Sequence, residues 1–139
     1  RPGVEVVGVE PAGAAKLSRA LEAGRPVPLE QTESIADGLL PLSIGTIPFE
    51  ILSGVVRTVV QVTEDEIVAG LRFLYRDAGI TAEPSGAVTT AALLSQRYRP
   101  KGPTVAVLSG GNIDPALLQR LVHPMEELGM GSSTSAGQG

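Results

Sequence analysis

Residues 104–114, Thr-Val-Ala-Val-Leu-Ser-Gly-Gly-Asn-Ile-Asp, constrain the fold more than any other stretch, because an apolar run stops abruptly at a hydroxyl, two glycines and an amide. The run predicts a buried strand that delivers a small polar turn. Gly110 and Gly111 let backbone approach a ligand closely. Ser109 and Asn112 put short donors and acceptors at the end of the strand, where open α/β sheets bind ligands. The same residues also suit an ordinary strand-to-helix turn with Asn112 or Asp114 as the N-cap.

The rest of the chain alternates strand and helix patterns. Val4–Val9 is apolar apart from Glu5 and Gly8, as a strand covered on both faces requires. Ala14–Ala23 follows as a helix with Leu17 and Leu21 on one face and Gly24 as its stop. Residues 25–46 carry three prolines and little periodicity, so a long irregular segment is expected around Ile35–Gly38. Pro48–Val56 suits a short helix, and Thr58–Val62 a strand rich in β-branched residues. Thr63-Glu64-Asp65-Glu66 matches a capping box, and Ile67, Leu71, Leu74 and Ala78 continue a helical face closed by Gly79. A small-residue helix is expected over Val88–Tyr98, and a last one over Pro115–Leu121 with Asp114 as N-cap. The fold class is therefore α/β: a mostly parallel sheet with helices on both faces, read as an incomplete large domain since the first strand opens the chain. The glycine- and serine-rich tail 130–139 reads as disordered, leaving 1–129 as the folded part.

Composition narrows the function classes. Only four residues are aromatic (Phe49, Phe73, Tyr75 and Tyr98), so the core must be built from Ala, Val, Leu and Ile. A net charge of -4 with interspersed signs offers no basic stripe for nucleic acid. There is no cysteine, hence no disulfide framework, thiolate nucleophile or Cys-based zinc site. The single histidine, His123, excludes a multi-histidine metal site and is expected on the surface. No apolar run suggests a membrane span and no signal peptide opens the chain, so the expected location is cytoplasmic.

Three segments in order carry a resemblance: Glu10-Pro11 after a strand, Ser34-Ile35-Ala36-Asp37-Gly38, and Glu83-Pro84-Ser85-Gly86-Ala87 followed by Ser109-Gly110-Gly111-Asn112. In this order they resemble the threonine and serine dehydratases, which include serine racemase and belong to the tryptophan-synthase-β-like, fold-type-II pyridoxal-phosphate enzymes. The resemblance runs from about residue 3 to residue 122. It implies a cofactor, pyridoxal 5'-phosphate, and a parent enzyme that removes water and ammonia from L-threonine or L-serine to leave a 2-oxo acid. It implies that Ser109 bonds the pyridine nitrogen, that Gly110, Gly111 and Asn112 hold that serine, that Gly38 passes close to the cofactor, and that Glu83 lies near the ring. Glu83 also suits a purely structural role, capping the helix that follows.

The departures from the family pattern are equally informative. Glu10 and Ala14 match positions of a family metal site, but Lys16 stands where an aspartate would complete it, so no metal is expected. Lys16 could instead pair with Glu10, or both could be solvated surface charges. The Schiff-base lysine segment, the glycine-rich phosphate loop and the loop for the substrate carboxylate are all absent, and neither Lys16 nor Lys101 has the required context. No catalytic residue is therefore assigned to this chain. It reads as the C-terminal half of the large domain, whose partners would be the N-terminal half of the same enzyme, an amino-acid substrate and, for the parent, other copies of itself. Two other readings stand beside it: a small-ligand or anion-binding α/β module built on a Ser109–Asn112 nest, and a non-catalytic subunit that completes a second chain.

Overall fold

The computed structural model describes residues 3–123. Strand β1 (Val6–Pro11) leads through a 3-10 turn (Ala12–Ala14) into helix α1 (Lys16–Ala23). A long irregular segment, broken only by a 3-10 turn at Asp37–Leu39, precedes helix α2 (Thr46–Val55) and strand β2 (Val56–Val62). Helices α3 (Glu64–Arg76), α4 (Pro84–Leu94) and α5 (Pro115–Val122) follow.

β1 and β2 pair in parallel, from Val7↔Thr58 to Pro11↔Val62. Parallel neighbours need a crossover connection, and α1, the irregular segment and α2 provide it. Leu17 of α1 lies against the backbone of Gly8 on one face of this sheet. On the other face Val9, Val60 and Val62 pack with Val88, Ala91 and Ala92 of α4 and Ile67 of α3. A second cluster joins Leu71 and Leu74 of α3, Ala87 of α4, and Leu118 and Val122 of α5. Helices thus cover both faces of a parallel sheet, as the alternating pattern requires. Phe49 is the one buried aromatic among the described residues, so aliphatic side chains fill the core as expected.

Local chemistry sets the element ends. The Thr63 capping box forms in full: Glu66 N–H donates to Thr63 Oγ1 at 3.3 Å and Thr63 N–H to Glu66 Oε2 at 2.8 Å. Asp114 caps α5 by accepting from Leu117 N–H at 2.8 Å, with Pro115 at the first helical position.

Three expectations need correction. The first helix is not continuous from Ala14: Ala15, at ψ 51°, separates the 3-10 turn from α1. The fourth helix spans Pro84–Leu94 rather than Val88–Tyr98, since Pro84 starts it and the chain turns at Gln96 with φ 58°. His123 lies at the surface, partly exposed, its ring edge-on to Tyr75 at a centroid distance of 6.4 Å. The largest correction concerns Thr104–Leu108, which is not a strand: no other strand of the described residues pairs with it. Val105 and Val107 are 88% and 66% exposed. A strand exists by virtue of its neighbour, and here the neighbouring edge is absent on both sides. The tail 130–139 lies outside the described residues.

Candidate functional site

The apolar segment still delivers its polar turn to a defined place, the N-terminal end of α4. Thr89 Oγ1 donates to the Val107 carbonyl at 3.0 Å, and the Glu83 N–H donates to the Gly110 carbonyl at 3.2 Å. Between these two bonds the backbone crosses the first turn of α4 at Gly86. A β-carbon there would lie 2.5 Å from the Ser109 carbonyl oxygen and 2.9 Å from that of Gly110. Only glycine permits this approach.

Gly110 adopts φ +93°, and its missing side chain leaves the space that the Glu83 carboxylate fills. Glu83 occupies the N-cap position of α4 but makes no side-chain capping bond. Its carboxylate is turned to the glycine turn instead, which removes the capping role that the sequence left open.

The Gly38 loop meets the turn from the other side. Gly38 N–H donates to Ser85 Oγ at 3.0 Å, and a β-carbon on Gly38 would lie 3.9 Å from Glu83 Oε1. Side chains from three helices hold this loop. Ile35 N–H donates to Glu64 Oε2 at 2.7 Å, and Lys16 Nζ donates to the Leu39 carbonyl at 2.6 Å. Gly38, Ser85, Glu83 and Gly110 therefore converge. Ser109, Gly111 and Asn112 extend the same turn with exposed side-chain and backbone groups. Sequence reasoning quoted Ser85, Gly86 and Glu64 within its motifs but assigned them no role at the site. Pro84 at the first helical position was the available signal for the first two, since it places Ser85 and Gly86 in the opening turn.

Glu10 is buried, 5% exposed, and its two carboxylate oxygens accept Leu17 N–H at 2.9 Å and Ser18 N–H at 3.0 Å. It neutralises the open N-terminus of α1. Neither sequence alternative for Lys16 describes what it does: it is half-buried, and its hydrogen bond goes to Leu39 rather than Glu10. Burial lowers the pKa of this ammonium, and the nearby charge of Glu10 opposes that shift.

Residues 1–110 match the family model described as pyridoxal-phosphate dependent enzyme. The chain belongs to this family. The biosynthetic L-threonine dehydratase IlvA of Halalkalibacterium halodurans is 39% identical over 121 residues, which are 86% of this chain and 29% of that protein. The Mycobacterium leprae protein of the same name is 40% identical over 111 residues, 78% of this chain and 26% of that protein. Among solved structures, the T.th. threonine deaminase superposes with a TM-score of 0.77 at 38% identity, covering 81% of this chain and 42% of its own. Maize serine racemase superposes with a TM-score of 0.78 at 30% identity, covering 85% and 38%. The chain thus spans under a third of the curated relatives' length.

The residues present fit one edge of the family's pyridoxal phosphate. The cofactor's ring nitrogen needs a hydrogen-bond partner, and Ser109 presents a hydroxyl at an exposed turn over which α4 closes without bulk at Gly86. They supply no amine for the cofactor's aldehyde: Lys16 is bound to Leu39, and Lys101 lies beside Tyr98, beyond the opposite end of α4.

Proposed function

We propose that this chain is part of a pyridoxal-phosphate dependent L-threonine/L-serine ammonia-lyase and forms the wall that receives the cofactor's ring nitrogen. The observation that carries this reading is the convergence of Glu83, Ser85, Gly38 and the Ser109–Gly110 turn at the start of α4. When bound, the cofactor would supply the electron sink for loss of the substrate's α-proton and β-hydroxyl.

The protein's own residues would orient it. The Ser109 hydroxyl offers a neutral hydrogen-bond partner, which leaves the ring nitrogen largely unprotonated, whereas a carboxylate at that place would keep a proton on it. Gly110 and Gly111 would present no side chain toward the cofactor, and Asn112 presents an amide at the same exposed turn. Glu83 would line the ring edge beside Gly38, whose N–H is shared between Asp37 Oδ1 and Ser85 Oγ. The reading includes an N-terminal half of the same enzyme that brings the lysine and the phosphate loop, an amino-acid substrate and assembly into homo-oligomers in the cytoplasm. It includes no metal, since Lys16 brings an ammonium, bonded to the Leu39 carbonyl, into the influence of Glu10 where an aspartate would complete the family's site.

The test is Ser109→Ala in the full enzyme that carries this segment. An unpaired buried acceptor costs about 1–3 kcal/mol, so cofactor affinity is expected to fall roughly 5- to 150-fold. Ser109→Asp is expected to retain the cofactor and alter the ratio of elimination to competing reactions. Unchanged affinity and product ratio in both variants would remove Ser109 from the site.

A further inference from the structure

Helix α1 begins on a residue that elementary electrostatics disfavours there. Lys16 is its first residue, and the open N–H groups of a helix N-terminus carry partial positive charge, which repels an ammonium. No acid stands in the first turn of this helix to offset it. The carboxylate that serves this end is Glu10 of β1, and its two oxygens are taken up by Leu17 N–H and Ser18 N–H. Lys16 is half-buried as well, and burial lowers its pKa against the opposing pull of Glu10. A methionine would fill the same space without the repulsion or the lost hydration. A local rule broken in this way marks a residue that serves another contact, and functional sites are where such breaks gather.

That contact is with the Gly38 loop. Lys16 Nζ donates to the Leu39 carbonyl at 2.6 Å, and a charged donor makes this bond roughly twice as strong as one between neutral groups. One residue earlier, Gly38 N–H is shared between Asp37 Oδ1 at 2.8 Å and Ser85 Oγ at 3.0 Å. One residue later, the Leu40 carbonyl accepts from Thr32 Oγ1 at 2.6 Å. Glycine has the widest backbone freedom, so the position of Gly38 is set by what holds its neighbours. On the earlier side that is Ala36, fully buried among Val62, Ile67 and Val88. On the later side Thr32 belongs to the same irregular segment and moves with it, whereas Lys16 ties the turn to a helix whose start Glu10 anchors to β1. Gly38 in turn stands beside Glu83: a β-carbon on it would lie 3.9 Å from Glu83 Oε1. Displacement of the loop would give that carboxylate room to turn away from Gly110.

We propose that Lys16 is a positioning residue for the cofactor: by holding the Leu39 carbonyl, its ammonium sets where the Gly38 backbone and the Glu83 carboxylate stand at the ring edge. This rests on the reading that the wall at the start of α4 receives pyridoxal phosphate. Lys16 acts through Leu39 and takes no part in the chemistry.

The experiment uses the full enzyme that carries this segment and two variants of it. Lys16→Met keeps an apolar stem without a donor, and Lys16→Arg keeps charged donors. Hydrogen–deuterium exchange is read at the Gly38, Leu39 and Leu40 amides, with the Leu17 and Ser18 amides, which Glu10 holds, as the internal reference. Affinity for pyridoxal phosphate is measured on the same preparations by equilibrium dialysis. Lys16→Met is expected to speed exchange in the loop roughly 10- to 100-fold, the range open to a hydrogen bond from a charged group, and to leave Leu17 and Ser18 as they were. Cofactor affinity is expected to fall at least about threefold, and Lys16→Arg to bring both readings back toward the natural values. Stripping the cofactor from the natural enzyme should leave the loop amides protected, because the tether holds them before the ring arrives. Exchange there that becomes as fast as in Lys16→Met would show that the ring orders the loop, and overturns the proposal. Unchanged loop exchange in Lys16→Met overturns it too, as does exchange that quickens equally through α1 and α3, which would make Lys16 a general source of stability. A loosened loop with unchanged cofactor affinity also overturns it, and Ser109→Ala then decides how far the failure reaches. Weakened binding in Ser109→Ala keeps the cofactor wall and discards Lys16 alone; unchanged binding there discards both.

Discussion

At the scale of single residues, the site depends on places where a side chain is absent. Gly110 combines φ +93° with a β-position already taken by the Glu83 carboxylate. Gly110→Ala is therefore expected to cost about 1–3 kcal/mol in urea unfolding, from backbone strain and displacement of Glu83 together. Adding Glu83→Ala should recover the part owed to the collision and leave the part owed to φ. Full recovery would show that strain at φ +93° contributes nothing. Lys16 makes a prediction in pH. Its folded pKa lies below the unfolded value of 10.5, because burial penalises the ammonium more than Glu10 favours it. Between those two values the unfolded state binds more protons than the folded one, so the lysine's contribution to stability rises with pH through that window. Stability measured from neutral pH to pH 10.5 should climb more steeply in the natural chain than in Lys16→Met, and equal slopes would contradict the burial argument. The Ser-Gly-Gly-Asn turn was legible in the sequence because an apolar run that stops at small polar residues marks a turn, whether it serves a ligand or only the next helix. The tethers on the Gly38 loop were not, since Lys16, Glu64 and Ser85 reach it from three helices and no local pattern announces such contacts.

Among the elements, legibility follows how locally each is determined. The Thr63 capping box and the Asp114-Pro115 start of α5 are written within a few residues, and both form as read. α4 was placed too late because its buried residues, Pro84, Gly86, Ala87, Val88, Thr90, Ala91 and Ala92, surround the helix and leave no polar stripe to mark its phase. Its packing against α3 explains that composition. At Gly70 of α3 a β-carbon would lie 2.9 Å from the Ala91 nitrogen and 3.1 Å from the Ala87 carbonyl oxygen, so the two helices touch backbone to backbone. Gly70→Ala gains up to about 1 kcal/mol of helix propensity but must push α4 away, loosening the clusters around Val88 and Leu71. Net destabilisation is expected. Gly54 of α2 faces open space, and Gly54→Ala should stabilise by up to about 1 kcal/mol from the same propensity term. Thermal or urea melts of the two variants should move in opposite directions. A stabilising Gly70→Ala would mean that α3 and α4 are not held at contact distance.

For the whole molecule, the sheet was read correctly in class and incorrectly in extent. Val4–Val9 and Thr104–Leu108 share one apolar signature, yet only the first finds a partner strand, because pairing depends on chain that periodicity cannot see. The same distinction governs activity. On the proposed reading the turn at Ser109 would supply one contact to a cofactor, whereas Lys101 stands past the far end of α4, roughly 12 Å away by the rise between residues 86 and 94 alone. Lys16 is engaged by the Leu39 carbonyl, which its ammonium bonds at 2.6 Å. The 139-residue chain mixed with pyridoxal phosphate and L-threonine is accordingly expected to release no 2-oxo acid above the background of the free cofactor. After dialysis it should keep no visible absorption from a lysine-bound cofactor. Each alternative has a distinct signature. Tight retention of the cofactor or of inorganic phosphate, abolished by Ser109→Ala, would make the chain a self-sufficient anion-binding module. A persistent chromophore lost in Lys16→Ala or Lys101→Ala would place the reactive amine in this chain, and the division of labour between this wall and the rest of the enzyme would have to be abandoned.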